Sequence, residues 1–80
     1  MSTTYTVRVS FVDTTYWDDG SRWTSETFRY GTREEAVTFA REAAAKGCEV
    51  SGQNGRLCVR PSAEDIRVEC HSTTPVEWLP

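Results

Sequence analysis

The sequence is poor in the residues from which metal and nucleophilic sites are built. Its 80 residues include one His and three Cys. Cys48, Cys58 and Cys70 are spaced too widely for a zinc knuckle or ribbon, whose ligands come in close pairs. His71 follows Cys70, but neighbouring residues of a strand point to opposite faces, which separates the two side chains. We expect structural, reduced cysteines and no metal; a Cys58–His71 pair on one sheet face is the alternative.

Catalytic patterns of carboxylates and glycines are lacking as well. Asp18-Asp19 is accounted for by a turn and Glu34-Glu35 by a helix start, so no facing acid–base pair is predicted. The chain contains no phosphate-binding loop. A short chain with one helix also leaves little room for an enclosed pocket. The sequence therefore predicts a protein that is not an enzyme and that binds no cofactor.

Long hydrophobic runs do not occur in this chain. A membrane-spanning helix needs about 20 mostly apolar residues, and the N-terminal MSTTYTVRVS lacks the charged start and apolar run of a signal peptide. Reduced cysteines then favour a cytoplasmic location. The formal net charge of −3 argues against a general binder of membranes or nucleic acids.

One stretch, Thr32 to Gly47, has the pattern of an α-helix. Thr32 and Glu35 predict a capping box, with the Glu carboxylate returning to the amide of Thr32. Gly47 can adopt the left-handed conformation that ends a helix. At about 100° per residue, alanines and Gly47 fall on one arc, flanked by Val37 and Phe39, while charged residues fall on the other. This stripe predicts a helix lying close against an apolar surface.

The segment before the helix predicts a β-hairpin. Residues 5–13 alternate between apolar and polar, as a half-buried strand does, and residues 23–30 are rich in Thr and aromatics. Between them, Asp19-Gly20 predicts a two-residue type I′ turn. That turn sets a register with Phe28 opposite Phe11 and Tyr30 opposite Val9, all on the face toward the helix.

The segment after the helix predicts a second hairpin and a fifth strand. Asn54-Gly55 is again a type I′ pair, which places Val50 opposite Val59 and Glu49 opposite Arg60. The fifth strand covers residues 66–71, and the tail, 72–80, has a turn at Thr74-Pro75. We predict a single α+β domain over 1–80, a two-layer sandwich of order β-β-α-β-β-β, with one helix on a mostly antiparallel sheet of four to five strands. The second hairpin is expected to extend the sheet beside strand one or strand two.

The first hairpin is longer than the helix can cover. About fifteen helical residues at ~1.5 Å each match about seven strand residues at ~3.3 Å. The tip, about residues 13–26, should therefore project as an arm with Tyr16 opposite Trp23 and Trp17 nearby. In the tail, Trp78 either docks or stays exposed. Clustered exposed aromatics mark contact sites, so these four residues are candidates for partner binding.

The sheet face away from the helix is expected to be open and to carry four arginines, Arg8, Arg29, Arg60 and Arg67. Sheet platforms that hold single-stranded nucleic acid combine phosphate contacts with base stacking. Against such a function, Glu49 and Glu69 are interspersed and the chain is acidic overall. Nucleic-acid binding is therefore the second hypothesis.

The first hypothesis is protein binding, because Trp, Tyr and Arg dominate interface energies. The partner would be a second copy or a host protein. A small core would gain burial from a two-fold dimer, formed through open faces, arms or an edge strand.

The composition and the segment FRYGTREEAVTFAREAAAKGCEV support a resemblance. Eight of the nine basic residues are Arg, and Ile66 is the one Ile against eight Val. With its strand, capped helix and strand, the segment resembles small accessory proteins of actinobacteriophages and of actinobacteria. The resemblance implies a cytoplasmic protein that acts by binding, and it assigns no functional residue.

Overall fold

The computed structural model describes residues 3–17, 20–71 and 74–79. Its elements are β1 (Tyr5–Asp13), β2 (Arg22–Tyr30), α1 (Arg33–Lys46), β3 (Cys48–Gly52), β4 (Gly55–Val59), a 3-10 turn (Ala63–Asp65), β5 (Ile66–Cys70) and β6 (Thr74–Val76). Among these residues, no helix is both long enough and apolar enough to cross a bilayer.

The strands form an antiparallel sheet of order β2-β1-β5-β6 and a separate two-stranded ribbon, β3-β4. The predicted α+β class, with one helix on a mostly antiparallel sheet, is confirmed. The prediction that the second hairpin extends the sheet beside β1 or β2 is wrong, because β3 and β4 form a separate ribbon and β5 lies beside β1. Thr74-Pro75, predicted as a turn, belongs to the edge strand β6 instead.

Helix α1 begins and ends where the sequence predicts. The amide of Glu35 donates to the Thr32 hydroxyl at 3.2 Å, and that hydroxyl donates to Glu35 Oε1 at 3.0 Å. The carboxylate thus binds the Thr32 side chain rather than its amide. At the other end Gly47 has a φ of 87°, and its amide donates to the carbonyl of Ala43.

The small-residue stripe of α1 packs on the sheet as predicted. Ala36, Ala40 and Ala43 are fully or almost fully buried. Phe39, at the edge of the stripe, lies with its ring centroid 4.6 Å from that of Phe28 and 5.6 Å from that of Tyr30. The buried sheet residues beneath the stripe are mostly aliphatic (Val7, Val9, Ile66 and Val68), and the aromatic contacts of Phe39 lie at its edge.

The predicted register of the first hairpin is wrong by four residues. Phe28 pairs with Val7 and Tyr30 with Tyr5, not with Phe11 and Val9. The connection runs over residues 14–21 rather than through a two-residue turn, and Asp18-Asp19 lies outside the described residues. Because the shift is even, each side chain keeps its predicted face.

The ribbon register differs from the prediction by two residues. Gly52 pairs with Gly55 around a Gln53-Asn54 loop, so Val50 lies opposite Leu57. Glu49 consequently forms its ion pair with Arg56, at 2.9 Å, and not with Arg60.

The ribbon docks at the end of the sheet that the helix leaves uncovered. The amide of Ser51 donates to Glu26 Oε1 at 3.0 Å, and that of Gln53 donates to Asp13 Oδ2 at 2.7 Å. Val50 is fully buried in the common core. The ribbon therefore covers the helix-facing side of the hairpin segment that the sequence predicts to project as an arm. Only the loop 14–21 of this segment lies beyond the ends of β1 and β2.

The tail folds back over the helix. The Trp78 side chain is 7% exposed and belongs to the core. Arg41 Nε donates to the carbonyl of Trp78 at 3.2 Å, and Arg33 donates to that of Glu77 at 2.8 Å. Trp78 is thus a packing residue: of the two expected alternatives the structure shows docking, and the expectation of an exposed Trp78 is wrong.

Candidate aromatic contact site

Large apolar side chains are exposed together at the tip of the first hairpin. Trp17 is 87% exposed, Trp23 68% and Val12 37%. Val12 and Trp23 are paired across β1 and β2 on the face away from the helix. We call Val12, Tyr16, Trp17, Arg22 and Trp23 the aromatic end. Exposed apolar side chains grouped in this way are typical of protein contact sites.

Tyr16 and Arg22 pack on each other within the aromatic end. The guanidinium carbon of Arg22 lies 4.1 Å from the centre of the Tyr16 ring, a cation–π contact. The predicted pairing of Tyr16 with Trp23 is wrong, because β1 ends at Asp13 and Trp23 pairs with Val12. The contact holds the ring of Tyr16 beside the first residue of β2.

A clamp centred on Asp13 positions the loop that carries Tyr16 and Trp17. The amide and hydroxyl of Thr15 donate to Asp13 Oδ1 at 2.9 and 2.6 Å. The amide of Asn54 donates to Thr15 Oγ1 at 3.0 Å, and its side-chain amide donates to the carbonyl of Thr15 at 3.1 Å. The Thr15 hydroxyl bond, helped by the amides of Thr15 and Gln53 and by Arg22, lowers the pKa of the Asp13 carboxyl against the opposing effect of burial.

Gly52 is required for this clamp. A Cβ atom at position 52 would lie 2.6 Å from both Asp13 Oδ1 and Thr15 Oγ1. The ribbon backbone can approach the carboxylate because residue 52 has no side chain. The aromatic end therefore has a rigid base built from two hairpins.

An open groove of about 410 Å³ adjoins Trp23. Its lining comes from β1, β2, the end of β4 and the connection between β4 and β5, and consists of Ser10, Phe11, Val12, Trp23, Val59, Arg60, Pro61, Ser62 and Asp65. The hydroxyl of Ser62 donates to Asp65 Oδ2 at 2.8 Å, which fixes the turn on one side. The exposed side chain of Trp23 therefore lies beside a concave surface that is lined by both polar and apolar residues.

Three of the four predicted arginines share the sheet face away from the helix. Arg8 and Arg67 lie directly opposite each other on β1 and β5, and Arg29 lies in the next row, in line with Thr6 and Glu69. Arg8 and Arg67 also line a small cavity with Ser10, Glu64 and Asp65. Carboxylates are thus interspersed with the arginines, as the sequence indicated.

Arg60 does not join the other arginines. It lies beyond β4, and its guanidinium donates to the carbonyl of Ala45 in the last turn of α1 at 3.4 Å. A cation at this position stabilises the negative end of the helix dipole. The expectation of four arginines on one open face is therefore wrong for Arg60.

The cysteines and the histidine are not assembled into a reactive group. Cys58 is exposed on the ribbon, whereas His71 follows β5 with a φ of 55° and donates its amide to Thr4. Burial, together with Glu26 and Cys58, raises the pKa of the Cys48 thiol, which disfavours the nucleophilic thiolate. Over residues 3–17, 20–71 and 74–79, no group of three or more His, Cys, Asp or Glu side chains could hold a metal ion.

Sequence reasoning missed two features of the aromatic end, the Arg22 contact and the groove beside Trp23. Both depend on residues brought together by the loop and the β4–β5 connection, for which the sequence carries no periodic signal. The pairing of Val12 with Trp23 follows from the observed register. A two-residue turn predicts a register four residues away, in which Trp23 lies opposite Tyr16.

The chain matches no protein-family profile, no curated protein and no solved structure.

Proposed function

We propose that this chain is a non-enzymatic interaction protein that binds another protein, or a second copy of itself, through the aromatic end. The observation that carries the proposal is the joint exposure of Val12, Trp17 and Trp23 on the base clamped by Asp13. Tryptophans on a rigid support lose little conformational entropy on binding and supply large contact areas. The resemblance of the sequence supports an accessory role in the cytoplasm of a bacterial host.

Nucleic acid is the less favoured partner. Arg8 and Arg67 are neighbours, but Glu64 and Asp65 line the same cavity, and Glu69 lies in the row of Arg29. Carboxylates beside the arginines repel phosphate and offset the positive charge that would otherwise neutralise it and release its counterions. Exposed tryptophan away from these arginines fits a protein partner better.

Affinity capture with matched variants tests the proposal. The tagged chain, Trp17→Ala, Trp23→Ala and the control Leu79→Ala are used as bait, each with untreated and with nuclease-treated lysate. Leu79 is 54% exposed but lies at the tail, so its loss controls for general stickiness. We expect a defined partner that the control retains and that each tryptophan variant loses.

Two results would contradict the proposal. Equal capture by all four baits would show that the aromatic end is not the contact site. A signal that disappears with nuclease and falls steeply with salt would indicate nucleic acid instead.

A further inference from the structure

Strand β2 is a long outer edge of the four-stranded sheet. It contains nine residues, Arg22–Tyr30, and pairs with β1 on one side. The ribbon reaches β2 through the Glu26 side chain on the helix-facing side, rather than by running along its backbone. Within the described chain, no strand pairs with the other side of β2.

The direction of the β2 backbone groups follows from one hydrogen bond. The amide of His71 donates to the carbonyl of Thr4 at 2.8 Å, so Thr4 directs its backbone groups toward β5. Backbone direction alternates along a strand, and Tyr5 and Val7 therefore face β2, where their partners are Tyr30 and Phe28. The residues of β2 between these inward-facing ones point outward, namely Trp23, Ser25, Thr27 and Arg29.

The opposite edge of the sheet is protected in a way that β2 is not. Strand β6 has three residues, and its central residue is Pro75, paired with Glu69. By the same alternation, Pro75 faces away from β5, so the missing amide is on the outer side. Short strands and outward proline are the usual means of blocking edge pairing. Strand β2 is three times as long and contains neither Pro nor Lys.

We infer that the free edge of β2 pairs antiparallel with β2 of a second copy, about a two-fold axis at Glu26. This inference rests on the proposed function and names the partner as a second copy of this chain. The two sheets would join into one of eight strands, four from each copy. A register centred on Glu26 aligns all nine residues and uses every outward-facing backbone group on both copies.

This register also brings complementary side chains together. Trp23 of one copy lies opposite Arg29 of the other, twice, on the face away from the helix, where both are exposed. Such pairs combine a guanidinium with an aromatic face. The two Glu26 side chains meet at the axis, and this like-charge contact weakens the pairing.

Molar mass measured by light scattering or sedimentation over a concentration series tests the inference. Wild type is expected to shift from the mass of one chain toward that of two. Ser25→Pro removes an outward amide that the monomer does not use, so the fold should persist while association weakens roughly tenfold or more, because two intermolecular hydrogen bonds are lost. Ser25→Ala, which keeps the amide, should associate like wild type.

Glu26→Gln is expected to strengthen association, whereas Ser25→Pro weakens it. The glutamine oxygen can still accept the Ser51 amide, while the repulsion at the axis is removed. Association should tighten about two- to fivefold. Circular dichroism and thermal unfolding at dilution verify that each variant folds.

Amide hydrogen exchange gives a residue-resolved measurement on the wild type. The amides of Ser25 and Thr27 should become protected as concentration rises, whereas those of Glu26 and Phe28 are protected throughout. A wild-type chain that stays monomeric, or association that Ser25→Pro leaves intact, overturns the inference. Association lost in Trp17→Ala but retained in Ser25→Pro would support the proposed contact site while excluding the edge.

Discussion

At the scale of single residues, Asp13 joins the two hairpins. Its buried carboxylate accepts bonds from the amide and hydroxyl of Thr15 and from the amide of Gln53. All three donors favour the ionised form, which is why the pKa of Asp13 is lowered. Because the Asp13 carboxylate accepts these three hydrogen bonds in its ionised form, its role is to stabilise the fold rather than to transfer protons.

The lowered pKa predicts acid sensitivity at this anchor. A carboxyl whose folded pKa lies below its unfolded value of about 3.9 contributes its stability above that value and loses it as pH falls through the folded pKa. Asp13→Asn should be less stable than wild type at pH 7, and the difference in free energy of unfolding between the two proteins should narrow below about pH 4. Urea unfolding of both proteins from neutral pH to pH 3 measures this difference; a constant difference would show that the charge of Asp13 is unimportant.

At the scale of elements, the end of α1 depends on Gly47. The residue has a φ of 87°, and a Cβ there would lie 2.6 Å from the backbone oxygen of Val59. The helix cap and the last residue of the ribbon, Val59, therefore meet at a point where a side chain has no space.

Gly47→Ala should be strongly destabilising. A backbone with this positive φ costs about 1–3 kcal/mol of stability for a residue other than glycine. The clash with the Val59 oxygen adds to this cost, because the backbone of a paired strand cannot move aside. Gly31→Ala is the matched control, since a Cβ at position 31 meets no atom within 4 Å. Thermal unfolding should show a large loss for the first variant and little change for the second; equal losses would contradict this explanation.

Local signals predicted the elements, while the registers needed contacts that no local signal carries. Capping residues and periodicity located α1 within one residue at each end. Alternation assigned the faces of the first hairpin correctly because its period of two is insensitive to even shifts. It could not detect that Asp13 ends β1 by binding Thr15 and a residue 40 positions away, Gln53.

At the scale of the whole molecule, exposure separates the tryptophans into two kinds. Trp17 and Trp23 extend into solvent at the hairpin tip, whereas Trp78 fixes the tail to the helix and core. The chain measures 44 × 26 × 16 Å, with a radius of gyration of 13.1 Å. A compact chain of this length would have a radius of gyration of about 12 Å, so the molecule is elongated. The two strands of the first hairpin, with nine residues each, are the longest strands described.

This separation predicts unequal stability effects for the same substitution at the two kinds of site. Trp78→Ala should cost about 3–5 kcal/mol, because it leaves a cavity and releases the tail. Trp17→Ala should change stability by less than about 0.5 kcal/mol, because its side chain is almost fully solvated. Chemical unfolding compares the two variants, and a stable Trp78→Ala protein would contradict the docking of the tail.

The candidate site was predictable in part for the same reason. Aromatics beside a hairpin turn are recognisable in a sequence, and Trp17 and Trp23 are exposed as expected. The sequence does not decide whether Trp78 docks, because docking depends on β6 pairing with β5 and on Arg41 donating to the carbonyl of Trp78. The order of strands likewise depends on contacts between the first and last quarters of the chain.

The central position of β1 has a consequence for how the protein is made. Strand β1 is synthesised before β5, one of its two neighbours, and the helix and both hairpins lie between β1 and β5 or include β1. Val7 cannot meet Val68 until most of the chain has been translated. Until β5 is translated, one side of β1 in the nascent first hairpin stays unpaired. We therefore expect the sheet to be completed after translation of β5 rather than progressively during synthesis.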